Sequence, residues 1–232
     1  MTKIHYHPTD ETLARYAAGD LDPASGIMLS AHLEFCSHCR QKVAAYEKAQ
    51  AGEMMRAKPE PLSSGLHDML SRILEQTPAQ ASGLPSAECD TTPPEMTTEI
   101  CVNNKSFRLP RALRRHEAHI GPWSRLPGNI KRASVSTSGQ SKMNFIYMDC
   151  DSSLPQHTHQ GREITLVLAG EFSDEQATYR PGDFVLQTDN NTHSPRTSAD
   201  QDCLCLTLLD APLRFTSGLA TLLNPFSPLF FR

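Results

Sequence analysis

The chain has 232 residues, enough for one large domain or two small ones, and 38% of them are apolar. A formal net charge of −4 argues against non-specific nucleic-acid binding as its main activity. No stretch approaches the roughly 20 apolar residues that span a bilayer, and the start, MTKIHYHPTDETLARYAAGD, lacks the apolar core of a signal peptide. Seven cysteines, an odd number, favour reduced thiols or metal ligands over a disulfide framework, so we expect a cytoplasmic protein without membrane contact.

Residues 9–76 are predicted to be mostly helical. Thr9 or Asp10 can cap a first helix, Pro23 suits the first turn of a second, and a third continues from about Ser37. After the break at KPEPLSSG, apolar residues recur at helical spacing and predict a fourth, amphipathic helix. Its apolar residues are Leu66, Met69, Leu70, Ile73 and Leu74.

The composition changes after the fourth helix. Residues 81–105 are rich in Pro, Ser and Thr and are predicted to form a flexible linker between a helical domain (1–80) and a second domain (106–232). In the second domain the segments NFIYMDC, EITLVLAG, DFVLQ and CLCLTLL are separated by turn residues, which predicts an antiparallel β-barrel or sandwich. The last 20 or so residues form an apolar tail that packs against either the barrel or a partner. The fold class expected is therefore multidomain α + β.

The segment HLEFCSHC contains a candidate metal site. His32 and Cys36 lie one helical turn apart, and two residues separate Cys36 from Cys39, so three ligands can meet one metal. A fourth ligand is available upstream in His5 or His7. Two imidazoles and two thiolates suit a closed, structural Zn²⁺ site, whereas the alternative is a pair of core or redox cysteines.

An upstream histidine followed by H-x3-C-x2-C in a small helical region resembles the zinc-binding anti-sigma domain. The resemblance implies that His7, His32, Cys36 and Cys39 hold the zinc, with His7 preferred over His5 because it directly precedes the first helix. It also implies that the helices wrap a sigma factor of the extracytoplasmic-function group and block its contact with core RNA polymerase.

A second candidate metal site lies in the β-rich region. His157 and His159 point to the same side of a strand, and H-x-H-x3-E, ending at Glu163, resembles the first cupin motif. RPGDFVLQTDNNTHSP resembles the second motif and supplies His193, which lies further from the Pro-Gly turn than is usual. These ligands could bind Zn²⁺, Fe²⁺, Mn²⁺ or Ni²⁺, and zinc is our first expectation. The alternative is a set of surface histidines near a turn.

The order of the two regions resembles the ChrR-type anti-sigma factors over nearly the whole chain. The resemblance implies a non-enzymatic protein that forms a 1:1 complex with a sigma factor, makes no direct contact with nucleic acid, and releases sigma when the cupin domain responds to singlet oxygen or related oxidants. The amphipathic helix is the candidate sigma-binding surface. Two alternatives are a cupin metal dioxygenase or isomerase with an accessory zinc module, and a DNA-binding zinc protein that uses the basic run RLPRALRRHEAHIGPWSRLPGNIKR.

Cys203 and Cys205 lie on one face of a predicted strand. Burial in the core is one interpretation, and the other is a redox-sensing role near the metal ligands. Sensing by loss of the metal, by oxidation of a ligand or by oxidation of a cysteine are all compatible with the sequence.

Overall fold

The computed structural model describes residues 3–58, 61, 63–75, 99–138, 141–216 and 218–227. The α-helices in this part of the chain are α1 (Asp10–Ala17), α2 (Pro23–Phe35), α3 (Ser37–Arg56), α4 (Ser64–Glu75) and α5 (Arg111–Arg114), with 3₁₀ helices at Glu117–His119 and Gly218–Phe226.

The helix starts follow from the local sequence. The Thr9 hydroxyl accepts a hydrogen bond from the backbone N–H of Thr12 and caps α1. The Asp22 side chain caps α2 in the same way, and Pro23 occupies its first turn. The four helices predicted between residues 9 and 76 are confirmed.

The remaining described chain is mainly β-structure. The strands are β1 (Glu99–Val102), β2 (Lys105–Arg108), β3 (Ser124–Leu126), β4 (Ile130–Val135), β5 (Lys142–Met148), β6 (His157–His159), β7 (Glu163–Gly170), β8 (Phe172–Ser173), β9 (Thr178–Tyr179), β10 (Phe184–Gln187), β11 (Thr192–His193), β12 (Cys203–Leu209) and β13 (Leu213–Phe215). A six-stranded antiparallel sheet has the order β10-β7-β12-β5-β4-β3, and a three-stranded sheet has the order β11-β6-β13. The predicted combination of N-terminal helices and an antiparallel β-region is confirmed.

Helix α2 packs on the outer face of the large sheet. Leu204 and Leu206 of β12 belong to the same buried cluster as Met28 and Leu29 of α2. The alternate residues of β12, which include Cys205, belong to a second cluster on the other face. The strand is buried on both faces because it lies between the helix and the interior of the β-region.

The division of the chain into compact structural units differs from the predicted domain boundaries. Residues 1–48 and 98–232 form one compact unit, and residues 49–97 form another. The predicted linker over residues 81–105 is wrong at its end, because β1 and β2 form a hairpin that begins at Glu99. Its earlier part, residues 81–98, lies outside the described residues.

The described part of the apolar tail lies on the β-region. Leu213 in β13 pairs with His159 in β6, and the Asn224 side chain exchanges hydrogen bonds with the backbone of Phe215. Within the described ranges, no helix has the length and apolar character needed to cross a membrane.

Candidate metal centres and partner surface

The predicted N-terminal ligands converge at the start of α3. The candidate donor atoms of His7, His32, Cys36 and Cys39 all lie within 4.8 Å of one another. The Nδ1 atom of His7 is 3.4 Å from both sulfur atoms, and the backbone N–H of Cys39 donates to the Cys36 sulfur. The four side chains predicted from sequence therefore form one cluster. His5 lies outside it.

The orientation of His32 fits a metal ligand. Its Nδ1 donates to the backbone carbonyl of Gly182 at 2.9 Å, which leaves Nε2 with a lone pair. That Nε2 atom is fully buried without a hydrogen-bond partner, a costly arrangement unless a cation lies there. Burial, followed by the repulsion of the nearby His7, lowers the pKa of His32 to about 4, so the ring is neutral near pH 7.

The cysteines also suit a cation. Burial, followed by the proximity of Cys36, raises the pKa of the Cys39 thiol to about 12 in the absence of metal. A bound Zn²⁺ reverses this effect because it stabilises the thiolate directly. His38 is exposed and does not belong to the cluster.

The second cluster lies at β6, β7 and β11. His157 and His159 project from β6 to the same side, and β11 pairs with β6 so that His193 lies directly opposite His157. The Nε2 atom of His193 is 3.0 Å from that of His157 and 3.2 Å from that of His159, and Glu163 completes the group. Tetrahedral coordination with metal–nitrogen bonds of about 2.0–2.1 Å places such atoms ~3.3 Å apart.

The tautomers in this cluster leave lone pairs facing each other. The Nδ1 atom of His157 donates to the carbonyl of Pro155, and Nδ1 of His193 donates to Asp174. Their Nε2 atoms therefore meet as two acceptors, which repel unless a cation lies between them. The residues present fit a divalent metal.

The electrostatics support the same assignment. Burial opposes ionisation of Glu163, but the hydrogen bond and charge of His159 outweigh it and lower the pKa of Glu163 to about 2. Burial, followed by the charge of His193, lowers the pKa of His157 to about 4. At neutral pH His157 is therefore a neutral imidazole and Glu163 a carboxylate, the forms in which these two residues bind metal.

Asp174 is a functional residue that the sequence analysis missed. Its buried carboxylate accepts hydrogen bonds from His193, from the Tyr179 hydroxyl and from the backbone N–H groups of Gln176 and Ala177. A carboxylate on the outer nitrogen of a ligating histidine fixes the tautomer and raises basicity. The acidic turn before β9 is the only local signal of this role.

The two clusters are joined by direct contacts between the chain start and the turn before β10. Asp183 in this turn accepts hydrogen bonds from the backbone N–H groups of His5 and Tyr6, at 2.7 and 3.1 Å. The backbone N–H of Phe184 in turn donates to the carbonyl of Tyr6. The sequence analysis missed these contacts, because they join residues almost 180 positions apart.

The turn contacts the N-terminal cluster directly, because the Gly182 carbonyl accepts a hydrogen bond from His32. Its connection to the second cluster runs through Tyr6, which donates to Asp183 and whose ring lies 4.9 Å from the ring of Tyr179. The Tyr179 hydroxyl donates to Asp174, which also accepts a hydrogen bond from His193.

The two cysteines of β12 lie together near the second cluster. The sulfur atoms of Cys203 and Cys205 are 3.4 Å apart, and both side chains are buried on the same strand face, as predicted. Burial and the neighbouring thiol raise the pKa of Cys203 well above its ordinary value. Cys205 lines the same cavity as His157 and His193.

Helix α4 presents an exposed apolar surface. It contains no buried residue among those described, and its apolar side chains are between 43% and 75% exposed. These are the predicted partner-binding residues Leu66, Met69, Leu70, Ile73 and Leu74. Met54 and Met55, which the sequence analysis did not single out, are exposed in the same structural unit.

Comparisons with known proteins cover both regions. Residues 9–40 match a family described as a putative zinc-finger, and residues 115–211 match the ChrR cupin-like domain. The chain is 30% identical to the anti-sigma-E factor ChrR of Cereibacter sphaeroides over 96% of this chain and 98% of that protein. A crystal structure of Rhodobacter sphaeroides SigE in complex with the anti-sigma ChrR matches with a TM-score of 0.67 and 25% identity, and covers 90% of this chain and 100% of that chain. The two regions, their order and the length of the match lead to one conclusion: this chain belongs to the ChrR family of anti-sigma factors.

Proposed function

We propose that this chain binds an extracytoplasmic-function sigma factor in a 1:1 complex, withholds it from core RNA polymerase, and releases it under oxidative stress such as exposure to singlet oxygen. The observation that carries the proposal is the match to an anti-sigma factor over 96% of the chain. RNA polymerase works in the bacterial cytoplasm, and this function therefore assigns the chain to that compartment.

The exposed surface of α4 supports sigma binding. Five apolar side chains lie on one helical face without burial, and such a face is typical of helices that dock into a partner's groove. The exposed Met54 and Met55 add flexible apolar area in the same unit. We assign the main sigma contact to α4.

We assign structural Zn²⁺ to the N-terminal cluster. His7, His32, Cys36 and Cys39 would hold it, and the ion supplies charge that keeps both sulfurs as thiolates. These residues tie the chain start to the junction of α2 and α3 and so preserve the shape of the helical region. A second divalent metal, with Zn²⁺ as first choice, is assigned to His157, His159, Glu163 and His193.

The turn before β10 provides a route from the β-region cluster to the N-terminal cluster. A change at the β-region cluster that moves His193 also acts on Asp174 and on Tyr179, which lies against Tyr6. Release requires a difference in sigma affinity between two states, and about 3 kcal/mol changes binding on the order of a hundredfold. The chemical event is loss of the metal, oxidation of a ligand, or oxidation of Cys203 and Cys205.

A cupin dioxygenase or isomerase is the second candidate function. The observation that favours it is a cavity of about 90 Å³ beside His157, Glu163 and His193. That function requires turnover of a substrate, and sigma binding would then be absent.

The proposal is tested by co-expressing the chain with the extracytoplasmic-function sigma factor encoded beside it and measuring the complex by size-exclusion chromatography with metal analysis. The double variant Met69→Glu/Ile73→Glu places two charges on the exposed apolar face. We expect it to abolish the complex while the zinc content stays unchanged.

The matched control is Arg72→Glu, because Arg72 is exposed on the same helix outside the apolar stripe and the variant changes the net charge by the same two units. We expect this variant to retain the complex. Failure of the unaltered, metal-loaded chain to bind sigma would refute the proposal and favour the enzyme. Retention of the complex by the double variant would refute the assignment of the interface to α4.

A further inference from the structure

The cavity beside the second cluster has a mostly apolar wall. Its volume is about 90 Å³, the space of roughly six or more water molecules. The apolar lining comes from strands and loops around the β-region and includes Ile130, Ile146, Met148, Leu154, Phe172 and Phe215. An apolar cavity of this size suits a small molecule with an apolar body.

One polar side chain in this wall lacks a partner. Asn144 on β5 is 2% exposed, and its side-chain Nδ2 atom is fully buried without a hydrogen bond. Leaving a buried amide donor unpaired is costly, so its position in a cavity wall indicates a ligand that accepts a hydrogen bond.

Asn144 belongs to a row of polar residues that leads towards the metal cluster. It pairs across the sheet with Thr207 on β12, which pairs with Thr165 on β7. The Thr165 hydroxyl donates to Glu163 of the cluster at 3.1 Å. The three residues of the row and Glu163 all line the cavity.

The charges around the cavity favour an anion. Three neutral imidazoles and one carboxylate around a divalent cation give a net charge of about +1. Within a mostly apolar wall, this charge would attract an acceptor group that carries negative charge.

We propose that this cavity binds a small amphiphilic organic acid, with its apolar body among the aliphatic and aromatic side chains and its carboxylate accepting a hydrogen bond from Asn144. This inference concerns ligand binding by the chain alone and does not depend on sigma binding. It gives the β-region a ligand in addition to its metal.

The test is isothermal titration calorimetry of the metal-loaded, full-length chain with hexanoate, compared with acetate, hexanol and hexylammonium. We expect one hexanoate per chain, with acetate weaker on the order of a hundredfold because it lacks most of the apolar body. Hexanol should bind at least about tenfold more weakly, and hexylammonium should not bind. This series uses the unaltered chain, so it does not depend on the folding of a variant.

Asn144→Leu keeps the size of the side chain and removes the donor. We expect about tenfold weaker hexanoate binding, whereas Asn190→Leu, which makes the same change at an exposed position outside the cavity, should bind normally. Thermal melts and metal content verify that both variants fold. The proposal is overturned if hexanoate shows no saturable binding, if hexylammonium binds as well as hexanoate, or if a folded Asn144→Leu chain binds hexanoate normally.

Discussion

Gly182 offers the sharpest test of the contact between the turn before β10 and the N-terminal metal site. Its φ angle is +95°, a region that residues with a Cβ rarely adopt. A Cβ placed there would lie 2.7 Å from Cδ1 of Ile4 and 2.9 Å from Cβ of Phe35. The end of the Ile4 side chain can rotate away, but the Phe35 Cβ is fixed to the end of α2.

Gly182→Ala is therefore destabilising for two reasons, the positive φ angle and the steric clash of the added Cβ. A comparison with Gly19 separates the two effects. Gly19 has a similar φ of +71° but has no atom within 4 Å of an added Cβ. We expect Gly19→Ala to lower the free energy of unfolding by about 1–2 kcal/mol, which is the backbone term alone. We expect Gly182→Ala to lower the free energy of unfolding by roughly 1–3 kcal/mol more, because the clashes of the added Cβ with Ile4 and Phe35 push the turn away from α2.

The functional consequence concerns zinc. The Gly182 carbonyl holds His32 in its ligating orientation, so displacement of the turn should weaken zinc binding at the N-terminal cluster by roughly 10- to 100-fold. Urea unfolding measures the first effect, and competition with a chromophoric chelator measures the second. Equal stability losses in Gly182→Ala and Gly19→Ala, together with unchanged zinc affinity, would show that the turn neither presses on α2 nor orients His32.

Three further predictions concern Asp183, Asp174 and the two buried histidines His32 and His157. Asp183→Asn replaces a carboxylate that accepts three backbone N–H groups, so urea unfolding should show a loss of about 2–4 kcal/mol; a loss below 1 kcal/mol would contradict it. Asp174→Asn should weaken metal binding at the β-region cluster by roughly 10- to 100-fold in a chelator competition, and an unchanged affinity would contradict this role of the carboxylate. In the metal-free chain, His32 and His157 have pKa values of about 4 when folded and 6.5 ordinarily, so the unfolded chain binds more protons between these limits. Stability should then be complete above about pH 6.5 and fall as the pH drops towards 4, by up to about 3 kcal/mol for each histidine; equal urea midpoints at pH 7.5 and 5.0 would contradict this.

Much of the candidate site could be predicted from local sequence because its spacing reflects local geometry. His32 and Cys36 are one helical turn apart, and His157 and His159 share a strand face, so each pair converges wherever its element forms. Helix starts were predictable for the same reason, since Thr9 caps the helix that directly follows it. His193 was identified through its place in a known motif, and β11 pairs it with β6.

The contacts between the two regions could not be predicted from local patterns. Asp183 binds backbone N–H groups near the chain start, and such bonds carry no information about the side chains of the residues that donate them. The apolar residues of α2, such as Met28 and Leu29, do not specify in sequence that their partner is the outer face of a sheet. The hairpin at Glu99 was missed because two short strands beside a Pro- and Thr-rich segment give a weak periodic signal.

The most direct test of anti-sigma activity is a transcription assay with core RNA polymerase, the cognate sigma factor and increasing amounts of the metal-loaded chain. We expect transcription to fall to background near one chain per sigma and to return when singlet oxygen is generated in the reaction. The chain carrying Met69→Glu/Ile73→Glu should not inhibit. Undiminished transcription at a several-fold excess of the folded, metal-loaded chain would show that this chain does not withhold sigma from the polymerase.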